Sequence, residues 1–506
     1  MKKVFVLLCV VGAMLAAGAI TVSAEVGNTG FFGGITEGVR LPKTTEILLA
    51  NASSGSKNAA IELPYKEIVF LTGRPVEFSG TLTIRPSGSA TAESGTYRVV
   101  YTVRASDSTA AGVNIARTIT FNVNYRKQGK QVVKDYTVAS WTETITADGA
   151  TFVLDSKQSH FDVSILEDHV AGVSYYKGDL SQKAVYRGNT GTSLELSGSI
   201  YGFTSAWSSA EVHRLDGRVY ANDYQLQYQV RPSVSVDKTL QYSANEPTAI
   251  SFAGNYREVM ANQSGLQYDI TVLPARFQDV VRSGGATIST YNTFEQLMAP
   301  DVSFLKGHFA EADVSKLFAM GVLEGDAKFF QPSQQITRGQ FVTMLVKALK
   351  LPIDTSYQNQ TGRTKNNVTV NVVFPDVMPD RADFPYIMAA YNAGLAIGRG
   401  NGHFQVDSPI ERQEAFVLLV RALGLSNLGL EPTPITPYMD DASISSWAKK
   451  DIYAGSRIGL FKGDTRGNVN PHANVSKAEA AAIVNRLVEY MRTGLRLDYT
   501  EHIVNY

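Results

Sequence analysis

Two periodicities divide this chain. From Leu63 to about Pro274, apolar and polar residues alternate, as in Tyr97-Arg98-Val99-Val100-Tyr101-Thr102-Val103-Arg104 and Arg117-Thr118-Ile119-Thr120-Phe121-Asn122-Val123. A period of two sends successive side chains to opposite faces, so these stretches predict strands with one buried side. Gly and Ser turns interrupt them at short intervals, which favours antiparallel sandwiches over a parallel sheet. After residue 300 the spacing becomes helical, as in Phe341-Val342 followed by Met344-Leu345-Val346. The expected fold class is therefore multidomain α+β, with two antiparallel β-sandwich-like domains followed by an all-α region.

A weak internal repeat suggests where the β half divides. Val76-Glu77-Phe78-Ser79-Gly80 resembles Leu194-Glu195-Leu196-Ser197-Gly198, and Tyr97 to Arg104 resembles Tyr224 to Arg231. This duplication predicts domains at residues 25–160 and 161–290. Residues 25–60, rich in Gly, Asn, Ser and Thr, read as an exposed arm or an early strand. Ser283-Gly284-Gly285 reads as a flexible joint, and Thr293 to Met298 as the start of a short helix.

A much stronger repeat occupies residues 299–353, 372–429 and 436–492. Ile336-Thr337-Arg338-Gly339-Gln340, Ile410-Glu411-Arg412-Gln413-Glu414 and Val475-Ser476-Lys477-Ala478-Glu479 are three forms of one signature. A second cation follows each at the same spacing, at Lys347, Arg421 and Arg486. Upstream lie the glycine pairs Gly321/Gly325, Gly394/Gly398 and Gly459/Gly463, and further upstream an acidic opener with Asp301, Asp376 or Asp440. Repeats of this length mark stacked structural units. The polar run from Asp354 to Asn371 reads as a surface loop inserted between the first two.

This ordered set resembles the S-layer homology family, across about the last two-fifths of the chain. The resemblance implies a pseudo-threefold helical trimer of repeats. It also implies non-covalent anchoring to a secondary polysaccharide of the bacterial cell wall, a ligand that often bears pyruvate ketals in this family. Departures from the family pattern are Gly339-Gln340 in the first copy, Glu411 and Ala382 in the second, and Lys477 in the third. One or two working grooves are therefore expected rather than three.

The signatures have a chemistry of their own. Thr337 with Gln340, and Ser476 with Glu479, have capping-box spacing, which satisfies first-turn amides. Arg338, Arg412 and Lys477 sit in that first turn, where the helix dipole disfavours a cation by ~0.3–1 kcal/mol. Free amides beside a guanidinium would suit a carboxylate or phosphate. The competing reading pairs each cation with an opener, Asp301, Asp376 or Asp440. With Glu414 and Trp447, whose ring suits either a pyranose face or the core, these residues form the candidate polysaccharide site.

Composition adds the setting. The chain holds 506 residues with 47 basic and 47 acidic side chains, so no global field favours nucleic acid. Lys2-Lys3, an apolar run and Val22-Ser23-Ala24 read as a secretory signal at residues 1–24. Its removal would leave 45 basic residues against 47 acidic, and would take away Cys9, the only cysteine. No other apolar run reaches the ~18 residues of a membrane span. The histidines are scattered, so no metal, cofactor or catalytic residue is expected. The reading is a secreted, wall-anchored, non-enzymatic surface protein, an S-layer or envelope component that displays its β-domains outward. A glycan- or protein-binding module, self-association through the β-domains, or a wall-acting hydrolase are the alternatives.

Overall fold

The computed structural model describes residues 33–37, 60–88, 93–107, 112–187, 191–243, 253–273, 280–354, 372–429 and 431–499. The signal-peptide reading, most of the 25–60 arm and the 355–371 insertion lie outside them. The chain forms two compact units. One is made chiefly of the residues up to Met298, joined by the C-terminal residues from Glu489 onward, and the other chiefly of Ala299–Val488.

The first unit is a 15-stranded antiparallel sheet. Its strands are β1 (Gly34–Thr36), β2 (Ile61–Val69), β3 (Val76–Ser87), β4 (Ser94–Ser106), β5 (Asn114–Gln128), β6 (Gln131–Ala147), β7 (Ala150–Leu154) and β8 (His160–His169). They continue as β9 (Val173–Arg187), β10 (Ser193–Ser205), β11 (Ser208–Ala221), β12 (Tyr224–Ser243), β13 (Asn255–Val272), β14 (Ser283–Thr287) and β15 (Thr293–Met298). Nearly every strand pairs with its sequence neighbour, and β8 pairs with both β6 and β9.

The expected division at 160/161 is corrected here. β8 carries the sheet across it, and one hydrophobic cluster runs from Ile35 to Ile270. The sheet curls until its early strands meet its late ones. Phe70 stacks on Tyr228 at 3.9 Å, and the Tyr224 hydroxyl donates to the Leu71 carbonyl. One rolled sheet thus replaces two sandwiches. The apparent duplication also fails topologically. Its first copy falls on the adjacent strands β3 and β4, whereas its second falls on β10 and β12 with β11 between them.

An ion cluster lies inside this core. Arg117 donates to Glu143 at 2.6 Å and to Glu67 at 2.7 Å. Tyr65, Tyr186 and Trp141 donate to the same two carboxylates at 2.6, 2.8 and 3.0 Å. A buried charge is tolerated only when paired and hydrogen-bonded, and these partners come from β2, β5, β6 and β9. Tyr186 lies beyond the expected domain boundary, so the cluster joins both halves.

Residues 283–298 also differ from expectation, forming strands instead of a joint and a helix. A Cβ on Gly285 would come within 2.4 Å of the Leu266 carbonyl, and one on Gly284 within 2.7 Å of the Tyr268 hydroxyl. Those glycines permit close strand approach. After Glu489 the chain closes the β unit with a helical segment. Its Arg492 is buried 4.5 Å from the centre of the Trp207 ring, and Tyr499 stacks on Tyr175.

The second unit holds two helices per copy: α1 (Glu311–Ala319) and α2 (Arg338–Ala348) in the first, α3 (Phe384–Asn392) and α4 (Arg412–Leu423) in the second, and α5 (Ser446–Arg457) and α6 (Lys477–Glu489) in the third; α2 packs on α3 and α4 on α5. Each first helix ends at a left-handed glycine, Gly321, Gly394 or Gly459, with φ of 69, 65 and 65°. A residue with a Cβ would be strained there, which accounts for the first glycine of each pair.

Candidate functional site

The second helix of each pair starts at a backbone ring. Ile336 N–H donates to Val475 O, Val475 N–H to Ile410 O, and Ile410 N–H to Ile336 O. All three side chains are buried. The first two amides of each helix then reach the loop before the next helix. Arg338 and Gly339 donate to Ser408 and Val406, Arg412 and Gln413 to Ala473 and Pro471, and Lys477 and Ala478 to Gln334 and Pro332. In the first copy a Cβ on Gly339 would come within 2.5 Å of the Val406 side chain, so glycine fits there.

The capping boxes form as their spacing predicts. Thr337 Oγ1 accepts from Gln340 N–H at 3.2 Å, and Gln340 Oε1 accepts from Thr337 N–H at 3.3 Å. Ser476 and Glu479 exchange the same bonds at 3.2 and 2.9 Å. With these and the ring bonds made, the first-turn amides are occupied. The expected anion cradle of free amides is therefore absent at these helix starts.

The cations follow the same cyclic order. Arg338, 5% exposed, donates to Glu414 at 3.1 Å and to the Ile397 carbonyl at 2.8 Å, and lies over the Phe404 ring. Burial pushes its pKa below the ordinary arginine value, and Glu414 only partly offsets this. Arg412 donates to Glu479 at 3.1 Å and to the Val469 carbonyl at 3.0 Å. Each arginine thus pairs with the capping acid of the next copy. Lys477 is the third cation, and the first copy carries neutral Gln340 at the position that Glu414 and Glu479 hold in the other two. Lys477 is half-buried and forms no ion pair among the described residues.

The acidic openers do not pair with these cations. Asp376 accepts backbone N–H bonds from Phe404 at 2.9 Å and Gln405 at 2.6 Å, and Asp440 accepts from Val469 at 2.8 Å and Asn470 at 2.7 Å. Burial alone would raise the Asp376 pKa, but these donors outweigh it and hold the carboxyl below its ordinary value. Among the described residues Asp301 accepts only from Ser303, at 3.0 Å. Two openers therefore brace the loop ahead of the second helix, and the first caps a local turn.

Three further residues complete the picture. Trp447, at the start of α5, is 51% exposed, so its ring is not core. Arg399, which the sequence did not single out, donates to both oxygens of Glu414, and this bond raises the arginine's pKa. Glu411 meets His472 of the third copy at 3.2 Å and accepts from Gln413 at 2.7 Å. Among the described residues, no group of three or more His, Cys, Asp or Glu side chains is placed to hold a metal ion.

Three copies whose second helices are bonded in a ring define a repeat-built module, carried in the same chain as a rolled β unit. Residues 305–342, 373–416 and 437–481 each match the family model of the S-layer homology domain, so the C-terminal region carries three tandem copies of it. The chain is similar to an amylopullulanase of Thermoanaerobacterium thermosulfurigenes, 29% identical over 206 residues, 40% of this chain and 10% of that protein. It is similar to an endoglucanase of a Bacillus species, 28% identical over 194 residues, 38% of this chain and 19% of that protein. An S-layer protein of Bacillus thuringiensis subsp. finitimus is 29% identical over 192 residues, 37% of this chain and 20% of that protein. These matches span only a tenth to a fifth of the relatives' own length.

Proposed function

We propose that the helical unit is a pseudo-threefold anchor that binds a secondary cell-wall polysaccharide non-covalently, while the β unit serves as a displayed S-layer or envelope component. The three S-layer homology domains and the S-layer relatives point to a secreted protein of the cell surface. The observation that carries the binding reading is the broken cycle. Two cation–carboxylate links are made inside the protein, while Lys477 makes no ion pair among the described residues and the first copy carries neutral Gln340 where the others carry Glu414 and Glu479. An anionic sugar substituent, such as a pyruvate ketal, would supply the missing carboxylate.

On this reading Lys477 makes the ligand contact. Arg338, Arg412, Glu414 and Glu479 hold the ring, Asp376 and Asp440 brace its loops, and Asp301 and Gln340 cap turns. The exposed ring of Trp447 is a stacking surface for a neutral sugar face. The glycosidase relatives do not by themselves favour an enzyme. S-layer proteins and glycosidases match over similar lengths, 186 to 206 residues, which is about the extent of the three copies. Such a pattern fits one anchor attached to different cargo. In the β unit, the clustered Glu67 and Glu143 are 4% and 3% exposed and tied to Arg117, which disfavours a hydrolytic role.

The test is co-sedimentation of the full chain with native cell-wall sacculi and with sacculi stripped of their secondary polymer. Sedimentation only with the native wall is expected. Equal sedimentation with both would shift the ligand to peptidoglycan and end the polysaccharide reading.

A further inference from the structure

The turn that leads into the 404–406 loop carries Asn401-Gly402, the one Asn-Gly pair in the sequence. Both residues are left-handed, with φ of 49° at Asn401 and 73° at Gly402. That is the backbone of a two-residue hairpin turn, which favours Asn-Gly. His403 N–H closes it by donating to Gly400 O at 3.0 Å, and Arg399 N–H donates to His403 O at 2.9 Å. Asn401 and Gly402 are exposed. Among the described residues, neither the Asn401 side-chain amide nor the Gly402 N–H makes a hydrogen bond. The Nδ1 of His403 lies 3.0 Å from the Asn401 backbone carbonyl oxygen. A carbonyl oxygen only accepts, so Nδ1 carries the proton and donates.

We propose that Asn401 is a self-modifying site, converted to aspartate and isoaspartate with the assistance of His403. The carbonyl that His403 bonds belongs to the same peptide group as the Gly402 nitrogen. Donation to its oxygen draws electron density from that nitrogen and stabilises the anion left when its proton passes to water. The nitrogen then attacks the side-chain carbonyl carbon of Asn401. A new C–N bond forms, the bond to the side-chain nitrogen breaks, and ammonia leaves with a proton taken from water. Water reopens the resulting imide ring at either carbonyl, giving aspartate or isoaspartate, and no oxidant or reductant is consumed. Glycine leaves the approach open because it sets no Cβ beside the attacking nitrogen. The attack requires the turn to open, and Asn401 is held in its left-handed conformation at a cost. The turn joins Arg399, which binds Glu414, to Phe404, whose ring lies against Arg338, so the change falls beside the Arg338–Glu414 link. The proposal does not depend on wall binding.

The test is timed incubation of the full-length chain in mildly alkaline buffer. Mass spectrometry of the tryptic peptide Gly400–Arg412 and isoaspartyl methyltransferase labelling follow the products. Asn401 should convert ahead of every other asparagine, and Asn401→Gln should remove the labelling. His403→Ala should slow the conversion by about two- to tenfold, the factor that one neutral hydrogen bond supplies. His403→Asn, whose Nδ2 stands where Nδ1 did, should keep most of the rate. Any loosening of the turn by His403→Ala would speed the reaction instead, so slowing separates assistance from a structural effect. In the free peptide the alanine substitution should change nothing. A parent chain in which Asn401 outlasts other asparagines would overturn the proposal. So would a His403→Ala rate equal to or above that of the parent, or a slowing of equal size in the free peptide. Each failure leaves the sacculus result untouched, because purified protein without wall is used.

Discussion

Arg338 and Lys477 occupy the same place in the same motif, the first residue of equivalent helices, and have opposite fates. Arg338 is shut into the ring against Glu414, a carbonyl and the Phe404 ring, so its charge is spent on holding two copies together. Lys477 keeps the same backbone exchange with the preceding loop but meets no carboxylate among the described residues. The difference arises at two positions, Lys for Arg and Gln340 for the acid that Glu414 and Glu479 supply elsewhere. A tandem repeat can thus be symmetric in its backbone and asymmetric in its electrostatics. On the proposed function, the junction without an internal ion pair is the one that binds.

The largest test of that contrast is Glu414→Ala. It removes the carboxylate between Arg338 and Arg399 and leaves a buried guanidinium uncompensated, so we expect a loss of about 3–5 kcal/mol in denaturant unfolding of the helical unit. Lys477→Ala should cost far less. Equal losses would contradict the division into structural and open junctions.

Asp376→Ala comes next. It takes the acceptor from the amides of the 404–406 loop, at about 2 kcal/mol. Asp301→Ala, with one local bond to lose, should have a smaller effect. Because the folded pKa of Asp376 is depressed, its contribution is full above the unfolded aspartate value and is lost as pH falls through the folded one. Acid unfolding of the parent should therefore steepen below pH ~4 and be milder in Asp376→Asn.

Thr337→Ala should cost about 1 kcal/mol by removing the cap of α2, read by the same unfolding curves. Gln340→Glu is the subtlest change and the most informative. It would restore the third carboxylate, adding under about 1 kcal/mol of stability because the pair is only partly buried. It should also weaken wall binding by occupying Lys477. Unchanged binding with this variant would separate Lys477 from the ligand.

Much of the helical unit could be read in the sequence. Capping boxes and left-handed glycines are local, and the Thr337/Gln340 and Ser476/Glu479 bonds and the φ values of Gly321, Gly394 and Gly459 follow from neighbours a few residues away. The partners of the arginines could not be read. Arg338 and Glu414 are 76 residues apart and Arg412 and Glu479 are 67 apart, so the pairing exists only once the copies close their ring. The openers were the nearer acids, but backbone amides claimed them. In the β half, alternation located strands well but carried no information on which sheet a strand joins, so β8 was read as a boundary where it is a bridge. Gly284 and Gly285 looked like a hinge because glycine serves both flexibility and close packing, and only Leu266 and Tyr268 reveal which.

The proposed binding depends on Lys477. The direct measurement is binding of full-length Lys477→Gln and Lys477→Arg to sacculi that retain their secondary polymer, with melting temperatures recorded beside it. Loss of polymer-dependent binding in the first variant, retention in the second and unchanged melting in both are predicted. Parental binding by Lys477→Gln would contradict the open-junction mechanism and move the ligand elsewhere on the ring.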